Sequence, residues 1–562
     1  MIRISAKKMT ESFAQQPALT PVEELLELSR PETSVIDWIL ACAVALFAIA
    51  WVWPFFRYCS FGSDEGIVLQ GAARILRGEI PYRDFFSFYT PGSYYLYAAL
   101  FKLFGTSLLV ARAALLFYAA LFSFLTYLLA RRACSRLASL LAASLVALLC
   151  LPARFVVIHN WDSTASALLA LYCAVWLLQT NAAWWSFLCG ICAGTTVMIE
   201  QSKGAGLILG LAIAGLLLHR LDPRRRIANS LLAGVLGAAI PLLAVFAYFA
   251  AHHALIVMLQ GWMWPLFHYT AVNQLPYGYI QWSSALRDIA VSSGWLERLI
   301  LVISFSPLII AALLPLLMLG LSATLGVKLI LGQLESNPLR FFVIVTGSVL
   351  LGEFLATWIT GRHDALRMVF LAPLFFCMLP LFLDRRLVKV PTLSNLGPLL
   401  ALFLLVSFVA FGLVRIPLGA KQVIASRRGI LKTDMPEGVL PYLQDHVAAG
   451  TKLFAYPYLP LYSFLSGTFS PTRFEYLQPG MHTPAQFEEA RKELERDRTP
   501  AVLFDITFPE MAAEVWPSTP ANVLANDPTA DFILSHYRGC ATLMARERPF
   551  EYMVRKDLTC PK

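Results

Sequence analysis

About eleven stretches of apolar residues, divided by short polar loops, constrain this chain more than any other feature of its sequence. They lie near residues 36–56, 108–130, 137–157, 163–178, 184–199, 204–218, 227–250, 299–319, 341–359, 368–383 and 396–414. A segment of about 20 apolar residues crosses the hydrocarbon of a bilayer as a helix, because no water is there to bond the backbone and each N–H and C=O must be satisfied internally. Composition agrees: 58% hydrophobic and 14% charged residues, with a mean hydropathy of +0.63, exceed what a soluble core of 562 residues requires. The predicted class is a polytopic α-helical membrane protein of about 11 transmembrane helices, with 163–178 and 204–218 among its shortest spans.

The formal charge of +9 does not signal nucleic acid, because the basic residues cluster between apolar spans and not along one face. Arg131, Arg132, Arg136, Arg220, Arg224, Arg225, Arg226, Lys328, Arg340, Arg385, Arg386 and Lys389 fall in alternate loops, which the positive-inside rule makes cytoplasmic. Residues 1–34 are polar, lack a signal-peptide pattern and are expected to form a cytoplasmic N-terminal segment. An odd number of spans then puts the C-terminal part outside, with the loops holding Asp64, Asp162, His268 and His363. The expected location is the cytoplasmic (inner) membrane, crossed many times, with a transmembrane region 35–415 and an extracytoplasmic α/β domain 416–562.

That last region is polar and alternates short elements. A helix at 439–449 stopped by Gly450, a strand at 453–456, a helix from Thr483 to about Arg498 with Gln486 completing a capping box, and a strand at 502–506 predict a small, separate α/β sheet domain. Cys42, Cys134, Cys150, Cys173, Cys189, Cys192 and Cys377 lie in or beside apolar spans and read as packing residues. Cys540 and Cys560 lie in the polar domain, where an oxidising compartment would join them.

The first outer loop, 57–107, carries the chemistry. After Ser63 as N-cap, Asp64 and Glu65 fill the first turn of a short surface helix that ends near Arg74, Arg77 and Gly78, with Val68, Ala72, Ile75 and Leu76 forming an apolar face. A carboxylate at a helix N-terminus can accept a proton or hold a divalent cation; helix capping alone is the simpler account of the dipeptide. Arg83 and Asp84 add charge to the same loop. Glu200, Lys203 and Glu353 interrupt apolar spans, where an unpaired ion is costly, so each is paired or functional. Arg112 reads as an interfacial residue. The outer loop GRHDALR brings Arg362, His363, Asp364 and Arg367 together; guanidinium forks suit phosphate oxygens, and His363 with Asp364 could help bind a metal. Trp262, Trp264, His268 and Tyr269 form an aromatic run that reads as interface belt, with sugar stacking as the alternative.

The Asp-Glu pair, RGEIPYRDF, TPGSYY, EQSKG and the outer RHD loop together resemble bacterial GT-C superfamily glycosyltransferases, of the protein-mannosyltransferase and aminoarabinose-transferase type. The resemblance covers Asp64 to about Pro373 and implies a GT-C-like fold. It also implies transfer of a sugar from a polyprenyl-phosphate carrier, drawn from the membrane lipid, to a lipid, glycan or protein acceptor on the outer face. Asp64 matches the family's catalytic loop acid and Glu65 its partner; Arg83, Asp84, Lys203, Arg362, His363, Asp364 and Arg367 are the candidate substrate-binding residues. No cofactor is required by this reading, a divalent cation being the one candidate. TPGSYY lacks the lysine-and-double-proline motif of the aminoarabinose transferases, and no β-trefoil insert of the eukaryotic mannosyltransferases is apparent, so the acceptor stays open. The competing classes are a transporter or lipid flippase, which predicts midplane polar sites and repeated halves, and a noncatalytic envelope-assembly protein, which tolerates loss of Asp64.

Overall fold

The apolar windows become helices whose lengths follow from their hydropathy. The computed structural model describes residues 34–61, 63–221, 227–269, 272–280, 287, 290–291, 293–331, 338–383, 391–525 and 527–561. The expected N-terminal segment up to residue 33, and Arg224, Arg225, Arg226, Arg385, Arg386 and Lys389, lie outside them. The helices are α1 (Val35–Val52), α2 (Ser63–Leu76), α3 (Gly92–Phe104), α4 (Leu108–Arg131), α5 (Arg136–Ala153), α6 (His159–Thr180), α7 (Ala183–Ile199), α8 (Gln201–Leu221), α9 (Ile227–Ala251), α10 (Leu255–Trp264), α11 (Trp295–Ile330), α12 (Pro338–Thr360), α13 (Ala365–Phe375) and α14 (Pro391–Arg415).

Among the described residues nine helices are long and apolar enough to cross a membrane, and 183–199 and 365–378 are shorter apolar helices. The protein is a multi-pass membrane protein. Two of the spans that read as short are full-length: α6 has 22 residues and α8 has 21, because polar first turns (His159 to Asp162, Gln201 to Lys203) extend each helix beyond its apolar window. Asp162, expected in a loop, is therefore helical and buried, bonded by Ser93 Oγ at 2.5 Å and Tyr97 Oη at 2.8 Å.

Opposite ends of the helices differ in chemistry. At one end Asp37, in the first turn of α1, accepts bonds from Arg131 at 2.9 Å and Arg136 at 3.0 Å, pinning α1 to the α4–α5 loop. At the other end the loops holding Asp64, Arg154, Glu200 and Arg362 converge beneath the C-terminal region.

That region begins where α14 ends. A hairpin, β1 (Gln422–Ser426) and β2 (Gly429–Thr433), bonds to the chain after α1, with Cys59 N–H donating to Lys432 O at 2.8 Å and Lys432 N–H to Arg57 O at 2.8 Å. Next come α15 (Val439–His446), β3 (Phe454–Tyr456), α16 (Pro460–Ser466), α17 (Pro484–Arg496), β4 (Ala501–Asp505), α18 (Phe508–Val515), α19 (Pro528–His536), β5 (Tyr537–Ala545) and β6 (Arg548–Arg555). The sheet order is β3-β4-β6-β5, with β3 parallel to β4 and the other pairs antiparallel. Thr483 and Gln486 form the expected capping box on α17, and Cys540 is joined to Cys560.

This domain is not set apart from the membrane region as its composition suggested. One contiguous core runs through both, with Phe61 stacked on Tyr462 at 5.5 Å and Phe101 on Phe464 at 5.7 Å. Helix α2 lies between the two. It is not the surface helix expected: Val68, Leu69 and Ala72 are all buried, Gln70 Nε2 donates to Thr468 O at 2.9 Å, and Arg74 is shared between Glu79 at 2.6 Å and Glu475 at 2.7 Å. A side chain on Gly66 would bring Cβ to 2.1 Å from Leu461 N, so the absence of one lets α16 lie directly on α2. The turn after α2 is made by Gly78 at φ 90°, a conformation open to glycine.

Candidate functional site

The two adjacent carboxylates at the start of α2 have opposite environments, because neighbouring helical positions point about 100° apart. Asp64 is 33% exposed in its side chain. Its Oδ1 accepts a bond from Tyr458 Oη at 2.6 Å, and its Oδ2 is paired with Arg154. The phenols of Tyr89, Tyr269 and Tyr476 and the Arg362 guanidinium lie within electrostatic reach of it. Burial pushes the Tyr89, Tyr458 and Tyr476 hydroxyls well up, so each stays protonated and can donate. Tyr89 lies over the His159 ring at 4.2 Å, and Tyr458 packs edge-on against Tyr476 at 5.0 Å and Trp516 at 5.6 Å. Asp64 thus stands among aromatic side chains, paired with one cation and within electrostatic reach of a second.

Glu65 is the correction. Expected beside Asp64 as its catalytic partner, it is buried at 1% exposure and turned away. Arg112 grips it in a bidentate pair, Nε to Oε1 at 2.9 Å and Nη2 to Oε2 at 2.7 Å, and Val157 N–H donates to Oε1 at 3.1 Å. Arg112 in turn donates to the carbonyls of Phe56 and Tyr58. Arg112 is therefore not an interfacial residue; it is fully enclosed, and the pair anchors the start of α2 to α4.

Arg83 and Asp84 also stand off the site. They pair with each other at 2.8 Å, and Asp84 Oδ2 accepts from Ile80 N–H at 2.7 Å, closing a turn. The bond from Arg83 holds the Asp84 carboxyl below the usual range. Neither residue contacts Asp64.

The EQSKG segment builds a second polar cluster where the chain breaks between α7 and α8. Lys203 Nζ lies 3.0 Å from Asn160 O, 2.9 Å from Ser163 Oγ and 2.9 Å from Thr164 Oγ1, which engages its three donors. Glu200 lies 3.3 Å from Lys203 and pairs with Arg367 at 3.0 Å. Lys203, expected to be open to a phosphate, is thus committed to the protein. Glu353 completes the lining of this cavity with Ser202, Thr357 and Phe370, and its Oε1 has no hydrogen-bond partner among the described residues.

In the RHD loop the residues diverge. Backbone bonds from Leu275 N–H to Gly361 O at 3.0 Å and from Gly278 N–H to His363 O at 2.8 Å fix its path. Arg362 Nε is buried without a hydrogen-bond partner among the described residues, 4.0 Å from Asp364 Oδ1 and too far for a bond. His363 is packed on α12, its Nδ1 at 3.2 Å from Thr357 Oγ1 and its ring at 3.9 Å from Trp358. Among the described residues no group of three or more His, Cys, Asp or Glu is placed to hold a metal ion.

Arg154 and Tyr458 escaped the sequence reading. Arg154 fell inside the apolar window 137–157, where a lone arginine near the outer end was the available signal. Tyr458 is 394 residues from Asp64 and carried none.

No family model matches the sequence, and no curated protein is similar to it by sequence. Solved structures are similar in fold. ArnT from Cupriavidus metallidurans bound to undecaprenyl phosphate superposes with a TM-score of 0.51 at 13% identity, covering 94% of this chain and 100% of that one. The same protein in its apo state gives 0.54 at 13% identity, over 93% and 99%. The apo oligosaccharyltransferase of Archaeoglobus fulgidus gives 0.51 at 11% identity, over 90% of this chain and 74% of that one. The chain has the GT-C fold.

Proposed function

We propose that this chain is a glycosyltransferase that moves a sugar from a polyprenyl-phosphate carrier to a lipid, glycan or protein acceptor at the outer face of the cytoplasmic membrane. The observation that carries this reading is Asp64: a partly open carboxylate at a helix N-terminus, held by Tyr458 and Arg154 among aromatic side chains of a GT-C fold. One structural neighbour holds undecaprenyl phosphate, which supports a carrier of that chemistry for this chain. The proposed orientation is supported by Arg131 and Arg136 standing at the end opposite Asp64, and the Cys540–Cys560 bond suits a domain in an oxidising compartment.

In the reaction the acceptor hydroxyl attacks the anomeric carbon, forming the new C–O bond as the bond from that carbon to the phosphate oxygen breaks. The hydroxyl proton passes to Asp64. The carrier leaves as a phosphate monoester with one more negative charge than it brought, so cations near Asp64 lower the barrier. Arg362 is suited to this, since its buried Nε has no bonded acceptor among the described residues, and Arg154 stands beside the carboxylate. Tyr89 and Tyr269 offer ring faces for the sugar. A divalent cation does not fit the donors present: Glu65 belongs to Arg112, and Asp64 already meets a guanidinium and a phenol. No step is routed through one.

Asp64→Asn keeps the size and capping ability of the side chain and removes its basicity. Sugar transfer from a lipid-linked-sugar extract should fall roughly 10²- to 10⁴-fold in a protein that still folds and inserts. Full turnover by this variant would refute the assignment and favour an envelope-assembly role.

A further inference from the structure

We propose that Tyr458, carried by the C-terminal domain, is a positioning residue for Asp64, so that docking of this domain completes the catalytic centre. The proposal rests on the glycosyltransferase reading above and assigns the domain a part in it.

Three observations place the phenol with more precision than a chance surface contact would need. Tyr458 lies between β3 and α16, and α16 is seated on α2 at Gly66, where a Cβ would come within 2.1 Å of Leu461 N and 2.5 Å of Leu461 Cα. This backbone-on-backbone approach is two residues from Asp64 and three from Tyr458, which leaves little play between hydroxyl and carboxylate. The same two parts are tied again further along α2, by Gln70 to Thr468 O at 2.9 Å and Arg74 to Glu475 at 2.7 Å. The Tyr458 ring is itself wedged edge-on between Tyr476 and Trp516, fixing its direction.

The chemistry suits positioning. Burial keeps the phenol protonated, and it donates to Oδ1 at 2.6 Å. Arg154 meets Oδ2. A carboxylate has about four acceptor positions, so two remain for an incoming hydroxyl, and the side chain's exposed third is where that hydroxyl must arrive. A neutral donor on one oxygen and a cation on the other fix the carboxylate plane before substrate binds. Without the phenol, Asp64 would retain Arg154 and could rotate about it.

Tyr458→Phe tests this, because it removes one oxygen and leaves the ring contacts with Tyr476 and Trp516. Loss of a hydrogen bond to a charged group corresponds to a fall of about 10- to 100-fold in turnover of a lipid-linked-sugar extract. Affinity for undecaprenyl phosphate, measured directly in detergent, should be unchanged, and protease resistance of the C-terminal domain should match wild type. In an Asp64→Asn background the same substitution should cost nothing further, since the two act as one unit. Wild-type turnover by a protease-resistant Tyr458→Phe protein would overturn the proposal while leaving the glycosyltransferase reading intact. So would an equal loss in the Asp64→Asn background, the mark of a purely structural role. Absence of turnover in wild type would overturn both.

Discussion

Glu65→Gln is the substitution whose outcome the structure most changes. As a mere neighbour of Asp64, Glu65 would tolerate an amide with a modest loss of activity. Enclosed with Arg112, at side-chain exposures of 2% and 1%, it does not. The amide keeps one acceptor for three donors, the Arg112 Nε, Arg112 Nη2 and Val157 N–H groups at 2.9, 2.7 and 3.1 Å, and turns an NH₂ group toward a guanidinium. The Arg112 charge stays buried, bonded to the Phe56 and Tyr58 carbonyls without a counter-ion at hand. Breaking a buried ion pair by removing one partner costs about 3–5 kcal/mol. Thermal unfolding in detergent, followed with a thiol-reactive fluorophore in a background where the seven other free cysteines are replaced, reads this locally, because Cys59 is fully buried next to the pair. Glu65→Gln should expose Cys59 at markedly lower temperature. Glu65→Gln with Arg112→Met should recover much of the loss, since no unpaired charge remains. A single variant unfolding at the wild-type temperature would refute the reasoning.

Two further outcomes test the architecture. Gly66→Ala should loosen the C-terminal domain, since its Cβ would meet backbone atoms of Leu461 that cannot step aside; overpacking of this kind costs about 1–3 kcal/mol or more, and limited proteolysis of the intact protein should show faster cleavage beyond residue 416 unless the close approach is absent. For orientation, single cysteines at exposed Glu510 and exposed Asn181 should be respectively labelled and protected from an impermeant maleimide in intact cells, and the reverse pattern would invert the topology.

The helices were legible because hydropathy decides them one span at a time: each apolar window falls mainly on helix, although 137–157 runs past the end of α5 and 368–383 is broken after α13, and polar first turns, as in α6 and α8, hid part of the length. Local chemistry also sufficed for α17, whose Thr483–Gln486 cap is written within four residues. What the sequence could not disclose was pairing across the chain. Arg112 looks interfacial until the fold brings Glu65 to it, and Lys203 looks like a phosphate ligand until Asn160, Ser163 and Thr164 surround it. Asp64 stood out as a candidate because a carboxylate opening a helix after a span is a local signal. Its partners Arg154 and Tyr458 were not, because one sat inside an apolar window and the other lay in a domain whose composition predicted independence.

The ties that shape α2 reach across 394, 398 and 401 residues, from Asp64 to Tyr458, Gln70 to Thr468 and Arg74 to Glu475. Synthesis proceeds at about 5–20 residues per second, so roughly 20–80 s separate the appearance of the acid from that of its phenol. Through that interval the nascent chain displays the carboxylate but not its phenol. A ribosome that stalls, or a transcript cut short anywhere before the last quarter, releases a protein that inserts its helices and yet lacks the contacts that shape its first loop. The contacts that shape the first loop are thereby tied to synthesis of residues 458–475 and to their delivery to the same side of the membrane as Asp64.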